Sequence, residues 1–163
     1  MTWNETISSK VFTKTSDAKT IITRWKAFND KVVFTNGCFD ILHLGHIDYL
    51  AKAADLGDRL VIGLNADTSV SRLKGENRPI IDQKTRAIKL ASLVFVDAVV
   101  IFQEDTPLNL ITSLEPDVLV KGGDYTIDTI VGAREVLARG GSVEVIPFLE
   151  GHSTTSIIKR IRD

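Results

Sequence analysis

Five short apolar runs recur along the chain: Val32–Phe34, Leu60–Leu64, Ala98–Phe102, Val118–Val120 and Val143–Ile146. They are rich in β-branched side chains, as half-buried or buried strands are. Stretches with apolar residues at helical spacing separate them, and no hairpin signal joins any two. A strand that returns through a helix pairs parallel to its predecessor, and parallel strands need cover on both faces. The pattern predicts an α/β fold, a three-layer sandwich around a five-stranded parallel sheet.

The helical stretches can be placed from spacing and caps. Ser16 reads as an N-cap ahead of Ala18, Ile21, Ile22, Trp25 and Phe28, and Ile47, Leu50, Ala51 and Ala54 share one face after Gly45. A short helix is expected over Ala66–Leu73, one capped by Asp82 through Val94, one opening at Pro107, one from Thr129 to Ala138, and a last one carrying Ile157, Ile158 and Ile161. Residues 1–15 show no pattern and are expected to be a loose leader to a single domain over 1–163.

Charge and cysteine usage narrow the function. With a net charge of -1, the chain has no electrostatic footprint for nucleic acid or an anionic membrane, so a phosphate ligand must be held by local cations. A lone cysteine, Cys38, rules out an internal disulfide and fits a reducing compartment. No apolar run approaches the ~20 residues of a membrane span, and the N-terminus has no signal-peptide pattern, so a cytoplasmic location is expected.

In a parallel sheet, ligands bind beyond the carboxyl ends of the strands. The segments to examine are Thr35–Asp40, Asn65–Asp67, the residues after Phe102, Lys121–Tyr125 and Pro147–Thr155. The first leads from a strand through Asn36-Gly37 into a helix start, where backbone N–H groups and the helix dipole converge on an anion. Neither the dinucleotide fingerprint nor the Walker A pattern is present there, which excludes hydride transfer and P-loop chemistry. Two histidines, His43 and His46, flank Gly45 instead. One lone histidine would read as a packed core residue; a pair around a glycine at a helix start reads as phosphate chemistry.

The segment G-C-F-D-I-L-H-L-G-H, residues 37–46, resembles the signature of the nucleotidyltransferases with the HxGH motif, which include cytidylyltransferases and pantetheine-phosphate adenylyltransferase. Gly63–Asp67, Ser71–Gly75, Asn77–Ile80, Val120–Tyr125 and Gly151–Ser156 resemble segments of bacterial heptose-1-phosphate adenylyltransferases. The likeness spans residues 10 to 162. Similar domains often follow a sugar kinase; without one, this chain is expected to be the stand-alone form. The resemblance implies a Rossmann-like fold and transfer of AMP from ATP to a heptose 1-phosphate. Magnesium is then expected as the counter-ion of ATP, with no protein ligand named for it. The alternatives are a cytidylyltransferase acting on glycerol 3-phosphate or another alcohol phosphate, and a non-catalytic nucleotide-binding domain.

In such a transfer the sugar phosphate attacks the α-phosphorus in line and pyrophosphate leaves. The nucleophile is already anionic, so catalysis reduces to positioning two polyanions and neutralising charge. The resemblance then makes His43, His46 and Lys74 the catalytic donors. Nucleotide contacts are expected from Thr35, Asn36, Gly37, Cys38, Phe39, Gly45, Lys121, Gly122, Asp124, Ser153, Thr154 and Thr155, and substrate contacts from Asp40, Asn65, Asp67 and Arg78. Gly37 and Gly45 are read as allowing close approach to the nucleotide and phosphate, Asp40, from its place in the turn, as also holding the loop, and Phe39 as packing. Arg72, Arg86 and His152 are left without an assigned role. The partners implied are small molecules, neither nucleic acid nor membrane, together with a second copy of the chain, for which Trp25 and Phe28 could supply apolar surface.

Overall fold

The computed structural model describes residues 1–163. In chain order the elements are α1 (Trp3–Ser8), β1 (Val11–Phe12), α2 (Thr15–Ala27), β2 (Val32–Gly37), α3 (Leu44–Ala54), β3 (Arg59–Asn65), α4 (Asp67–Lys74) and α5 (Gln83–Ala91). There follow β4 (Ala98–Phe102), α6 (Leu108–Leu114), β5 (Val118–Gly122), a 3₁₀ turn (Ile127–Thr129), α7 (Ala133–Ala138), β6 (Ser142–Ile146) and α8 (Thr154–Arg162). No helix is long and apolar enough to cross a membrane.

The sheet has six strands rather than five, all parallel, in the order β1-β4-β3-β2-β5-β6. The extra strand comes from the leader, which is ordered. Thr2 and Glu5 cap α1 reciprocally, and Val11 and Phe12 then pair with Val99 and Val100 at the open edge of β4. Lys10 reinforces that edge by donating to the Val96 carbonyl at 2.7 Å.

Alternate residues of the strands feed two apolar layers. On one face Phe34, Val61 and Val100 meet Ile22 of α2, Ile111 of α6 and Val136 of α7. On the other, Val33, Ile62 and Val99 meet Leu50 of α3 and Leu90 of α5. Each fully buried aliphatic of this kind contributes about 1.5–3 kcal/mol, so the layers hold the helices more firmly than their intrinsic propensities do.

Several helix boundaries differ from expectation for local reasons. Lys14 occupies the N-cap of α2 and Ser16 lies inside the helix. Asp82 does cap α5, accepting from the Thr85 N–H at 3.0 Å, but the helix stops at Ala91 and leaves Val94 exposed in the turn toward β4. Pro107 caps α6 rather than joining its first turn. The helix expected from Thr129 is interrupted because Gly132 sits at φ 86°, so α7 begins after it. Trp25 packs on the edge of the core under the Arg59 guanidinium, whereas Phe28 is exposed.

Two features of the sheet open the site. The chain leaves β2 through α3 on one face and leaves β5 through α7 on the other. These neighbouring strands also stay in register for only two pairs, Val33 with Val118 and Phe34 with Leu119, against six pairs between β2 and β3. Their carboxyl ends therefore part, leaving a crevice where connections diverge.

Candidate active site

The histidine pair is built into the start of α3. His43 is the N-cap, its Nδ1 accepting the Gly45 N–H at 3.1 Å, and His46 Nδ1 accepts the His43 N–H at 3.3 Å. The two imidazoles thus form the reciprocal cap that a serine and a glutamate usually make. Their rings stack at 3.8 Å and 24°, and Phe39 meets His46 edge-on at 5.3 Å.

With both Nδ1 atoms accepting, the proton of each neutral ring belongs on Nε2. Burial, reinforced by His43 and Lys74, lowers His46 from 6.5 to about 4. Burial and His152 lower His43 as well. At neutral pH the pair is therefore two uncharged N–H donors, and positive charge must come from elsewhere. The neighbouring glycines make room for these rings rather than for a ligand. A Cβ on Gly37 would lie 2.9 Å from the Phe39 ring, and one on Gly45 would lie 3.0 Å from the His43 ring and 3.2 Å from His152 Cβ.

The crevice over β2 and β5 has two lobes that share a floor of Asn36, Gly37, Cys38, Lys74, Lys121 and Tyr125. The smaller, about 210 Å³, lies beside α3 and adds Phe39, Asp40, His46, Tyr49, Arg78, Gly122, Phe148 and Thr154. The larger, about 510 Å³, extends over β3 and β4 and adds Asn65, Leu73, Asp105, Thr106 and Thr129 to an apolar wall. Burial pushes the Lys121 amine down; its Nζ lies 5.4 Å from the Tyr125 ring. The Cys38 thiol is pushed up by burial, which suits a floor residue and not a nucleophile.

Asp40 faces inward. Its carboxylate is 1% exposed and accepts from Arg78 Nε at 2.7 Å, from the Ile80 N–H at 2.9 Å and from the Ile81 N–H at 2.9 Å. Burial alone would raise its pKa, but these donors outweigh it and hold the group below the usual carboxylate range. The expected substrate contact is thus replaced by a clamp on the loop carrying Arg78. That arginine keeps one nitrogen, Nη2, buried and without a partner.

Arg86 resolves in the same way. Wholly buried, it donates to the carbonyls of Ile81, Cys38 and Asn65 and to Asp67 Oδ1 at 2.8 Å. It ties β2, β3 and the loop after α4 together with Asp67 as its carboxylate partner, and Asp67 lines neither lobe. Arg72 is likewise engaged, pairing with Asp105 at 2.8 Å.

Of the other expected contacts, Thr35 is buried with its hydroxyl 2.6 Å from Tyr49 Oη, so its side chain is closed to a nucleotide. Burial pushes the Tyr49 phenol up to about 12, which keeps it a neutral partner. Ser153 caps α8 by accepting the Ser156 N–H at 3.0 Å. Thr154 reaches the smaller lobe, while His43, Gly45, Asp124, Ser153 and Thr155 do not line either one. Sequence reasoning missed Tyr49, Phe148, Asp105 and Thr106. The last two lie in the segment after the third apolar run, where position pointed to a site but no side chain stood out.

Residues 34–160 match the family described as Cytidylyltransferase-like. The bifunctional protein HldE of Geobacter sulfurreducens is 59% identical over 141 residues, which is 86% of this chain and 29% of that protein. HldE of Campylobacter concisus is 64% identical over 133 residues, 82% of this chain and 27% of that protein. The chain therefore spans under a third of the length of these relatives. Among solved structures, the lipopolysaccharide core biosynthesis protein of Thermoplasma volcanium superposes with a TM-score of 0.59 at 29% identity, covering 76% of this chain and 99% of that one. Pantoate-beta-alanine ligase of Francisella tularensis, at 13% identity, shares the fold with a TM-score of 0.61 over 93% of this chain and 76% of its own. With its stacked HxGH histidines at the open end of a parallel sheet, the chain belongs to the cytidylyltransferase-like family.

Proposed function

We propose that the chain is a nucleotidyltransferase that moves AMP from ATP to a heptose 1-phosphate and releases pyrophosphate. The observation that carries this reading is the donor set of the smaller lobe: His46, Lys74, Lys121 and Arg78, gathered where β2 and β5 part. The acceptor class follows from likeness to HldE proteins and to a lipopolysaccharide core biosynthesis protein.

The α-phosphate would sit against His46 and the floor N–H groups of Asn36 to Phe39. There the neutral His46 imidazole donates to a non-bridging oxygen while Lys74 and Lys121 offset the charge shared by nucleophile and leaving group. Held as a neutral donor, His46 stays matched to the transition state without taking a proton from the acceptor, which has none to lose. Magnesium would arrive with ATP, held by phosphate oxygens and water. The lobe's one carboxylate, Asp40, is turned inward, and no three His, Cys, Asp or Glu side chains gather as a metal site.

Pyrophosphate release measured with ATP and with CTP, against heptose 1-phosphate, glycerol 3-phosphate and other phosphorylated acceptors, tests the reading. Turnover with ATP and a heptose 1-phosphate is expected. Turnover with CTP and an alcohol phosphate alone would replace it with the cytidylyltransferase reading.

A further inference from the structure

The two lobes have opposite hydrogen-bonding character. The smaller is lined by donors, as a phosphate ligand requires. Away from the shared lysines, the larger presents acceptors. Asp105 Oδ1 accepts from Arg72 Nε at 2.8 Å, and its Oδ2 has no partner. Arg72 also donates to the Gln103 carbonyl, so the pair is anchored to the chain just after β4.

Asn65 is fixed in the same sense. Ser69 Oγ donates to the Glu104 carbonyl at 3.1 Å and so accepts from Asn65 Nδ2 at 2.9 Å, which orients the amide and leaves Oδ1 open. The Thr106 hydroxyl beside them makes no internal bond. Leu73, Pro107 and Ile130 supply the apolar wall.

A polyphosphate offers only acceptors and would meet the Asp105 carboxylate as a like charge. A polyhydroxylated chain offers donors, and its own phosphate could reach Lys74 and Lys121 on the shared floor. Resting on the nucleotidyl-transfer reading above, we infer that Asp105, Asn65 and Thr106 bind the hydroxyls of the acceptor and make the larger lobe selective for a sugar phosphate. An analogue that lacks these hydroxyls leaves the Oδ1 of Asn65, a residue 3% exposed, without a partner, and is discriminated against for that reason.

The experiment is a steady-state comparison of wild type, Asp105→Ala, Asp105→Asn and Phe148→Ala with ATP and a sugar 1-phosphate, and with glycerol 3-phosphate as acceptor. Asp105 has a side chain 58% exposed and its pair with Arg72 lies at the surface, so these variants keep the fold, which circular dichroism verifies. Asp105→Ala should raise the KM for the sugar phosphate about 10–100-fold while the KM for ATP moves within about 3-fold. Asp105→Asn should fall between, and preference for the sugar phosphate over glycerol 3-phosphate should shrink in parallel. Phe148→Ala, in the other lobe, should raise the KM for ATP alone. An Asp105→Ala enzyme whose ATP KM rises as much as its acceptor KM, or in which neither moves, overturns the inference and leaves the nucleotidyl-transfer reading standing. A wild type that releases no pyrophosphate with any sugar 1-phosphate defeats that reading, and the inference with it.

Discussion

Replacing Asp40 by asparagine tests whether this carboxylate is a clamp. The side chain accepts from Arg78 Nε at 2.7 Å and from the Ile80 and Ile81 N–H groups at 2.9 Å each, and it is 1% exposed. An asparagine keeps the size, but its amide must point an N–H at one of these donors. Arg78, whose side chain is only 18% exposed, then loses its counter-charge as well. Removing one partner of a buried pair costs about 3–5 kcal/mol, and the residual exposure of Arg78 places this case near about 3 kcal/mol. That is a large share of the roughly 5–15 kcal/mol that holds a domain together, and at about 2–4 °C per kcal/mol it lowers Tm by roughly 6–12 °C.

Urea unfolding of wild type, Asp40→Asn, Arg78→Met and the double variant is the assay, read at unchanged m-value. The double variant should be clearly more stable than the two single losses summed. Acid titration adds a second readout. A carboxyl held low in the folded state contributes stability that is full above about pH 4 and fades as pH falls through its folded value, so wild type and variant should converge in acid. A loss below about 1 kcal/mol with additive singles would refute the clamp.

His46→Ala should keep the fold and lower turnover by roughly 10²–10³, the scale of one lost transition-state donor; near-normal turnover would remove the assigned role. Because His46 is lowered to about 4, its protonation should leave turnover flat between neutral pH and about pH 5. The same shift makes folding resist protonation, so stability carried by the neutral ring is full above 6.5 and lost as pH falls toward about 4; thermal melts of His46→Gln should lack that component. Gly45→Ala should gain up to about 1 kcal/mol in helix propensity but lose about 1–3 kcal/mol to the contacts at 3.0 and 3.2 Å, leaving a net destabilised protein with reduced kcat, seen by melting and turnover together.

The histidine pair was legible because its geometry is local: His43 and His46 stand one turn apart, and their caps lie within three residues. Apolar period likewise announced the five longer strands. A loop-holding Asp40 was suggested by its place in the turn, but its partners were not legible, since they lie 38 to 41 residues further along and meet it only after β3 and α4 are in place. Asp105 depends in the same way on Arg72, 33 residues before it. The strand β1 has two residues, too few for a period, and exists because the edge of β4 offers a row of unpaired groups to a neighbouring chain segment. Arg86 had no assigned role in the sequence because composition does not show that three carbonyls and a carboxylate converge on one point.

The brief register between β2 and β5, two pairs and then separation, sets which way two molecules can meet. Ligands in the two lobes come to the common floor from opposite faces of the sheet, one over α3 and the other over α6 and the 3₁₀ turn. A phosphorus held on that floor would be attacked on the side away from its leaving group. With a single chiral phosphorothioate diastereomer of the nucleotide, the product should therefore carry inverted configuration at phosphorus, and retention would require a covalent intermediate.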